Sequence, residues 1–103
     1  MSTARGAEVE LHFRSVEGGG RTEAVSLGHG TYRPHFVVAK GEYLGVAVVQ
    51  GPEEPVDPGN KVKVIVVFAY EPAVDYSALV EGASFEVMEG ARVVANGRVL
   101  RLV

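Results

Sequence analysis

The sequence predicts an all-β protein, a small closed antiparallel β-barrel of about six strands. Three observations carry this. Valine supplies 20 of the 103 residues, against 6 leucines and 1 isoleucine, and β-branched side chains suit a pleated, half-buried surface. The apolar residues recur with period two in several short runs rather than at helical spacing. The 13 glycines and 5 prolines cluster between those runs, where turns are needed.

The elements follow in order. Residues 1–6 read as a disordered N-terminal tail. From Ala7 to Ser15, Val9, Leu11 and Phe13 share one face while Glu8, Glu10, His12 and Arg14 share the other, the pattern of a half-buried strand. Gly18-Gly19-Gly20 is a loop tip, and Val25 with Leu27 marks a short strand piece before the break at Gly28-His29-Gly30. Pro34 biases Arg33 toward extended geometry. A strand over Phe36–Lys40 then turns at Gly41-Glu42 into another over Tyr43–Val49. Asp57-Pro58-Gly59-Asn60 suits a type II turn, since Gly accepts positive φ at its third position. Lys61–Tyr70 is the strongest strand. Val62, Val64, Val66 and Phe68 form one face; the other begins with Lys61 and Lys63 and becomes apolar at Ile65, Val67 and Ala69. Ser77–Glu81 has room for one helical turn. Strands over Ala83–Glu89 and Ala91–Leu102 close the chain, with a bulge or kink expected at Asn96-Gly97. The short connections require antiparallel pairing, and closure removes exposed edges. No linker divides the chain, so residues 1–103 form one domain.

Composition excludes several functions. Cysteine is absent, which removes disulfides, thiol nucleophiles and zinc–thiolate sites. No apolar run approaches the roughly 18 residues of a membrane-spanning helix, and no apolar signal region follows the N-terminus; the expected compartment is the cytoplasm, with no membrane partner. The formal net charge of −3 argues against a strongly basic nucleic-acid binder. His12, His29 and His35 are too far apart in sequence for a metal-binding pair. Glu53-Glu54 is an adjacent pair in a Pro-rich loop rather than two carboxylates facing across a cleft. Ser15, Ser26, Ser77 and Ser84 lack the turn context of a catalytic nucleophile. Gly18-Gly19-Gly20-Arg21 is followed by neither a Lys-Ser/Thr pair nor a helix, so it is not a nucleotide phosphate loop. The expectation is a non-enzyme without metal, cofactor or nucleotide.

One stretch is more specific. Thr31-Tyr32-Arg33-Pro34-His35-Phe36 resembles the Gly-Tyr-Arg-Pro-Gln-Phe motif of the third, C-terminal β-barrel domain of elongation factor Tu. Glu17-Gly18-Gly19-Gly20-Arg21 is similar to that family's Glu-Gly-Gly-Arg loop, and Ala7-Glu8-Val9 to its first barrel strand. Gly45-Val46, Pro58-Gly59 and the ending from Phe85 through Glu89-Gly90-Ala91-Arg92 to Leu102 follow in the family's order. The resemblance covers about residues 7–102. It implies a barrel that is not catalytic, that packs against other domains, and that helps hold aminoacyl-tRNA.

Among the family's tRNA-touching positions, Arg21 and Gly90 match and His35 replaces a glutamine while keeping hydrogen-bonding capacity. Leu44 replaces a threonine and Glu71 a lysine, and a carboxylate at Glu71 repels phosphate. The resemblance therefore implies an RNA-contact set of Arg21, His35, Gly90 and Arg92, with Arg33 beside it. It also implies a domain-contact role for Tyr32 and Arg33. The apolar second face of the strongest strand, with Ile65 and Val67, points instead to a protein interface. Two functions are thus expected of a stand-alone module: first, binding a protein partner or a second copy of itself; second, binding tRNA or another RNA.

Overall fold

The computed structural model describes residues 5–39 and 41–103. Six strands form: β1 Gly6–Phe13, β2 His35–Val37, β3 Leu44–Gln50, β4 Lys61–Phe68, β5 Ser84–Glu89 and β6 Arg92–Leu102. They close into a barrel in the order β1-β4-β3-β2-β5-β6, every neighbouring pair antiparallel. Among the described residues no helix is long and apolar enough to cross a membrane.

The alternation places the core. Ala7, Val9, Leu11 and Phe13 of β1 and Val64, Val66 and Phe68 of β4 point inward, where they meet Phe36, Val46, Val48, Phe85 and Val87. The rings of Phe36 and Phe85 stack with centroids 4.0 Å apart. Among the described residues, no charged or polar side chain is buried, so the interior is a packed apolar core.

Most expected elements hold, with shifted ends. Of the expected tail, residues 1–4 lie outside the described residues. Gly6 opens β1, and the Arg5 amide donates to the Val103 carbonyl at 3.1 Å, so pairing begins earlier than the alternation suggests. β2 is shorter than Phe36–Lys40: the Gly41 amide donates to the Val38 carbonyl at 2.8 Å and Ala39 takes φ +49°, which ends the strand at Val37; Lys40 lies outside the described residues. Before β2, Pro34 has no N–H to give, yet the Tyr32 and Pro34 carbonyls accept from Val48 and Val46. The chain at 32–34 therefore continues alongside β3. Val25 pairs with Val56 in a single bridge, tying the two long loops together across one end of the barrel. Gly59 has φ +91° and Asn60 donates to the Asp57 carbonyl at 3.2 Å, the geometry of the expected type II turn.

Two expectations are corrected. Ser77–Glu81 is not helical; it is a run of turns that inserts Tyr76 and Leu79 into the core. Nor is Asn96-Gly97 a bulge: Asn96 and Gly97 pair in register with His12 and Leu11. The irregularities of β6 fall at Val94 and Leu100, the residues skipped by the pairings with β5 and β1. Gly97 serves a close approach instead. A Cβ there would lie 2.5 Å from the Phe85 ring and 2.9 Å from the Glu10 carbonyl oxygen.

Candidate functional site

Two regions hold the residues that the sequence singled out. The first is the barrel end where β1 and β5 finish. The glycine turn after β1 is tightly wound: the Gly18, Gly19 and Gly20 amides donate to the carbonyls of Ser15, Val16 and Ser15. With these amides occupied, the turn offers no cradle for an anion. Its carbonyls point the other way, to Arg92. The Arg92 Nη2 donates to the Gly20 carbonyl at 2.5 Å and Nε to the Gly19 carbonyl at 3.2 Å.

Beside this clamp sits a three-residue network. Arg21 Nη1 and the Tyr32 hydroxyl both donate to Glu89 Oε2, at 2.5 and 2.6 Å. Arg21 Nε also donates to the Glu23 carbonyl at 3.3 Å. The ring of Tyr32 leans on Phe13 with centroids 6.4 Å apart. Burial, and then the hydrogen bond to Glu89, push the Tyr32 phenol well above its ordinary range, so it remains a neutral donor. The local reason is topological: the β5–β6 turn brings Glu89, Gly90 and Arg92 beneath the loop that carries Gly18–Arg21. Arg21, Gly90 and Arg92 are therefore gathered at one end, with both guanidinium groups bonded to partners within the same chain. Glu89 is the residue that sequence reasoning missed. Its only sequence signal is its place just before Gly90, which says nothing of a contact 68 positions back in the chain.

His35 is not part of that cluster. It pairs with Gly45 of β3 and Met88 of β5, with its ring 5.7 Å from that of Tyr43. It belongs to the second region, the outer side of β3 and β4. There Tyr70 lies against Gly45 and Val67 pairs with Ala47. Arg33 stands opposite Ala47, because Val46 and Val48 donate to the carbonyls on either side of it. Ile65 and Val67 are half-buried, while Val49 is 52% exposed, Tyr70 54% and Tyr43 49%.

The loop after β4 could in principle have covered this face. Its residues Glu71 and Pro72 border Val67, while Tyr76 and Leu79 turn into the core. The Tyr76 hydroxyl donates to the Gly45 carbonyl at 2.5 Å and accepts from the Tyr70 amide at 3.1 Å, and its ring stacks on Phe68 at 4.7 Å. Burial raises the pKa of this phenol.

The remaining outer surface, formed by β1 and β6, is polar. Arg101 Nε donates to Glu8 at 3.0 Å, Glu10 pairs in register with Arg98 and Lys63, and His12 with Asn96 and Lys61. Among the described residues, no three His, Asp or Glu side chains converge to hold a metal ion. The fold is that of a small closed six-stranded antiparallel barrel, and no protein-family model matches the chain.

Proposed function

We propose that this barrel is a non-catalytic binding module that engages another protein through the outer side of β3 and β4. The observation that supports this most is the contrast between two outer surfaces of one barrel. The β1–β6 side pairs its charges or sets them in alternating rows. The β3–β4 side exposes Val49 and Tyr70, with Ile65, Val67 and Tyr43 beside them. Clustered aromatic and aliphatic side chains of this kind mark interaction surfaces, whereas scattered ones carry no meaning. A standard contact buries about 800 Å² per partner, a modest share of the 6008 Å² surface. The resemblance to the third barrel of elongation factor Tu, a domain that packs against others, agrees with this reading.

The test is site-specific photo-crosslinking in cells of the source organism, with the reactive group at position 49 or 70 and a control at 96. Discrete protein adducts from the first two positions and none from the control support the reading. No adducts, or the same adducts from all three positions, defeat it.

RNA binding at the Arg21–Gly90–Arg92 end is the second reading. In its favour, these three residues lie together, as the resemblance implies. Against it, Arg21 is paired with Glu89 and Arg92 with the glycine turn, so a phosphate would have to displace internal partners. A tRNA filter-binding titration at low salt decides it. Binding lost in both Arg21→Ala and Arg92→Ala supports the reading; absent binding, or binding indifferent to both substitutions, removes it.

A further inference from the structure

The outer side of β4 changes character along its length. Lys61 and Lys63 project at one end, and Ile65 and Val67 follow at the same two-residue spacing. Lys63 lines a shallow groove with Glu8, Gln50 and Ile65, and Arg33 stands across β3 beside Ala47. Arg33, Lys61 and Lys63 are all exposed, and among the described residues none of them makes an ion pair. An apolar strip is thus bordered by three exposed cations that make no ion pair among the described residues.

The acidic groups nearby, Glu8 and Glu10, are fewer than the cations and are shared with other bases. Glu8 is turned to Arg101. Glu10 lies in register between Lys63 and Arg98 without an ion pair to either. Glu71 sits at the far apolar end, beside Arg5 and Val67. All but four of the 13 acidic residues lie in loops. A chain with net charge −3 therefore carries positive charge on its most apolar face.

We infer that the partner is a different protein, presenting an apolar segment flanked by carboxylates that reach Arg33 and Lys63; this rests on the protein-binding reading above. Charge complementarity selects that chemistry over a second copy. A two-fold contact is self-complementary by necessity. Centred on the cations, it would set Lys61, Lys63 and Arg33 against their own counterparts. Centred on the apolar strip, it would bring Lys61 toward the Glu71 end of the other copy but leave Lys63 and Arg33 without a counter-charge. An acidic, apolar segment meets neither obstacle, and its carboxylates accelerate encounter while its apolar side chains hold the complex.

The experiment is selection of a displayed random-peptide library on the wild-type barrel alone, with the two single charge reversals Arg33→Glu and Lys63→Glu and their combination introduced only at the titration stage. The winning peptides are then synthesised, titrated and mapped by amide chemical shifts. Expected are peptides that combine large apolar residues with Asp or Glu. They should perturb Val49, Ile65 and Tyr70, and lose at least about tenfold in affinity on either single charge reversal. Circular dichroism confirms that the variants, which alter exposed side chains, remain folded. Peptides that map to this face but carry no acid and bind all variants equally overturn the inference while leaving the protein-binding reading standing. Peptides that never map to this face overturn both. A dimer in sedimentation equilibrium that Ile65→Lys dissociates also overturns the inference, in favour of a second copy.

Discussion

Arg21 distinguishes a residue that holds the fold from one kept for a ligand. Its guanidinium and the Tyr32 hydroxyl share one oxygen of Glu89, and the side chains of Arg21 and Glu89 are 28% and 29% exposed. A hydrogen bond to a charged group at a partly buried site contributes about 1.5–3 kcal/mol, and partial exposure favours the low end. Arg21→Ala is therefore expected to cost about 1–2 kcal/mol. Glu89→Ala, which strands both donors, should cost about 2–3 kcal/mol. For a domain near 100 residues each kcal/mol moves the melting temperature by about 4–8 °C. Urea unfolding followed by far-ultraviolet circular dichroism suits a chain without tryptophan. The double-mutant cycle of Arg21→Ala with Glu89→Ala should return a coupling of at least about 0.5 kcal/mol, as contacting residues do. If Arg21→Ala stays within about 0.5 kcal/mol of wild type, as free surface residues do, and the coupling vanishes, the assignment of Arg21 to the internal network is wrong.

Three further outcomes follow from the packing. Gly97→Ala drives a methyl into the Phe85 ring, which is itself stacked on Phe36; a loss of about 1–3 kcal/mol in denaturant unfolding is expected. Tyr32 has a raised pKa in the folded state, so its contribution is intact below the ordinary phenol value of about 10 and is lost as pH rises above it. Thermal melts of Tyr32→Phe should accordingly show a shallower alkaline decline than wild type, and an identical slope would contradict this. Tyr76→Phe removes the donor to the Gly45 carbonyl and the acceptor for the Tyr70 amide. It should cost about 1 kcal/mol and speed hydrogen exchange at Tyr70, whereas unchanged exchange would mean the loop is held by packing alone.

Much of the fold was legible residue by residue. The alternation in Ala7–Ser15 and Lys61–Tyr70 marks which side chains enter the core, because a strand's period is set by its own backbone. The turn at Asp57–Asn60 was legible for a similar reason, since Pro and Gly impose its dihedrals locally. The short β2 was less so: the turn at Val38–Gly41 puts Ala39, not Gly41, at positive φ, and no local preference signals that. Gly97 read as a kink because glycine in a strand has two meanings, and only the position of Phe85 from the neighbouring strand separates them. For the site, Ile65 and Val67 were visible as an apolar second face, but whether the loop after β4 covers them depends on where Tyr76 and Leu79 insert. Glu89 was silent for the same reason: its partners come from the opposite end of the chain.

By itself the sequence determined an all-β chain, most of its strands, the Asp57–Asn60 turn and the inward side chains of β1 and β4, since each depends on neighbours within a few residues. Tertiary structure alone decided the rest. Closure in the order β1-β4-β3-β2-β5-β6 sets Arg21 against Glu89 and Arg92 against the glycine turn. The same closure leaves Arg33 and Lys63 unpaired around Val49, Ile65 and Tyr70. Hydrogen bonds, ion pairs and apolar contacts form only within a few ångströms, and which groups come that close is set by the register of strands distant in sequence.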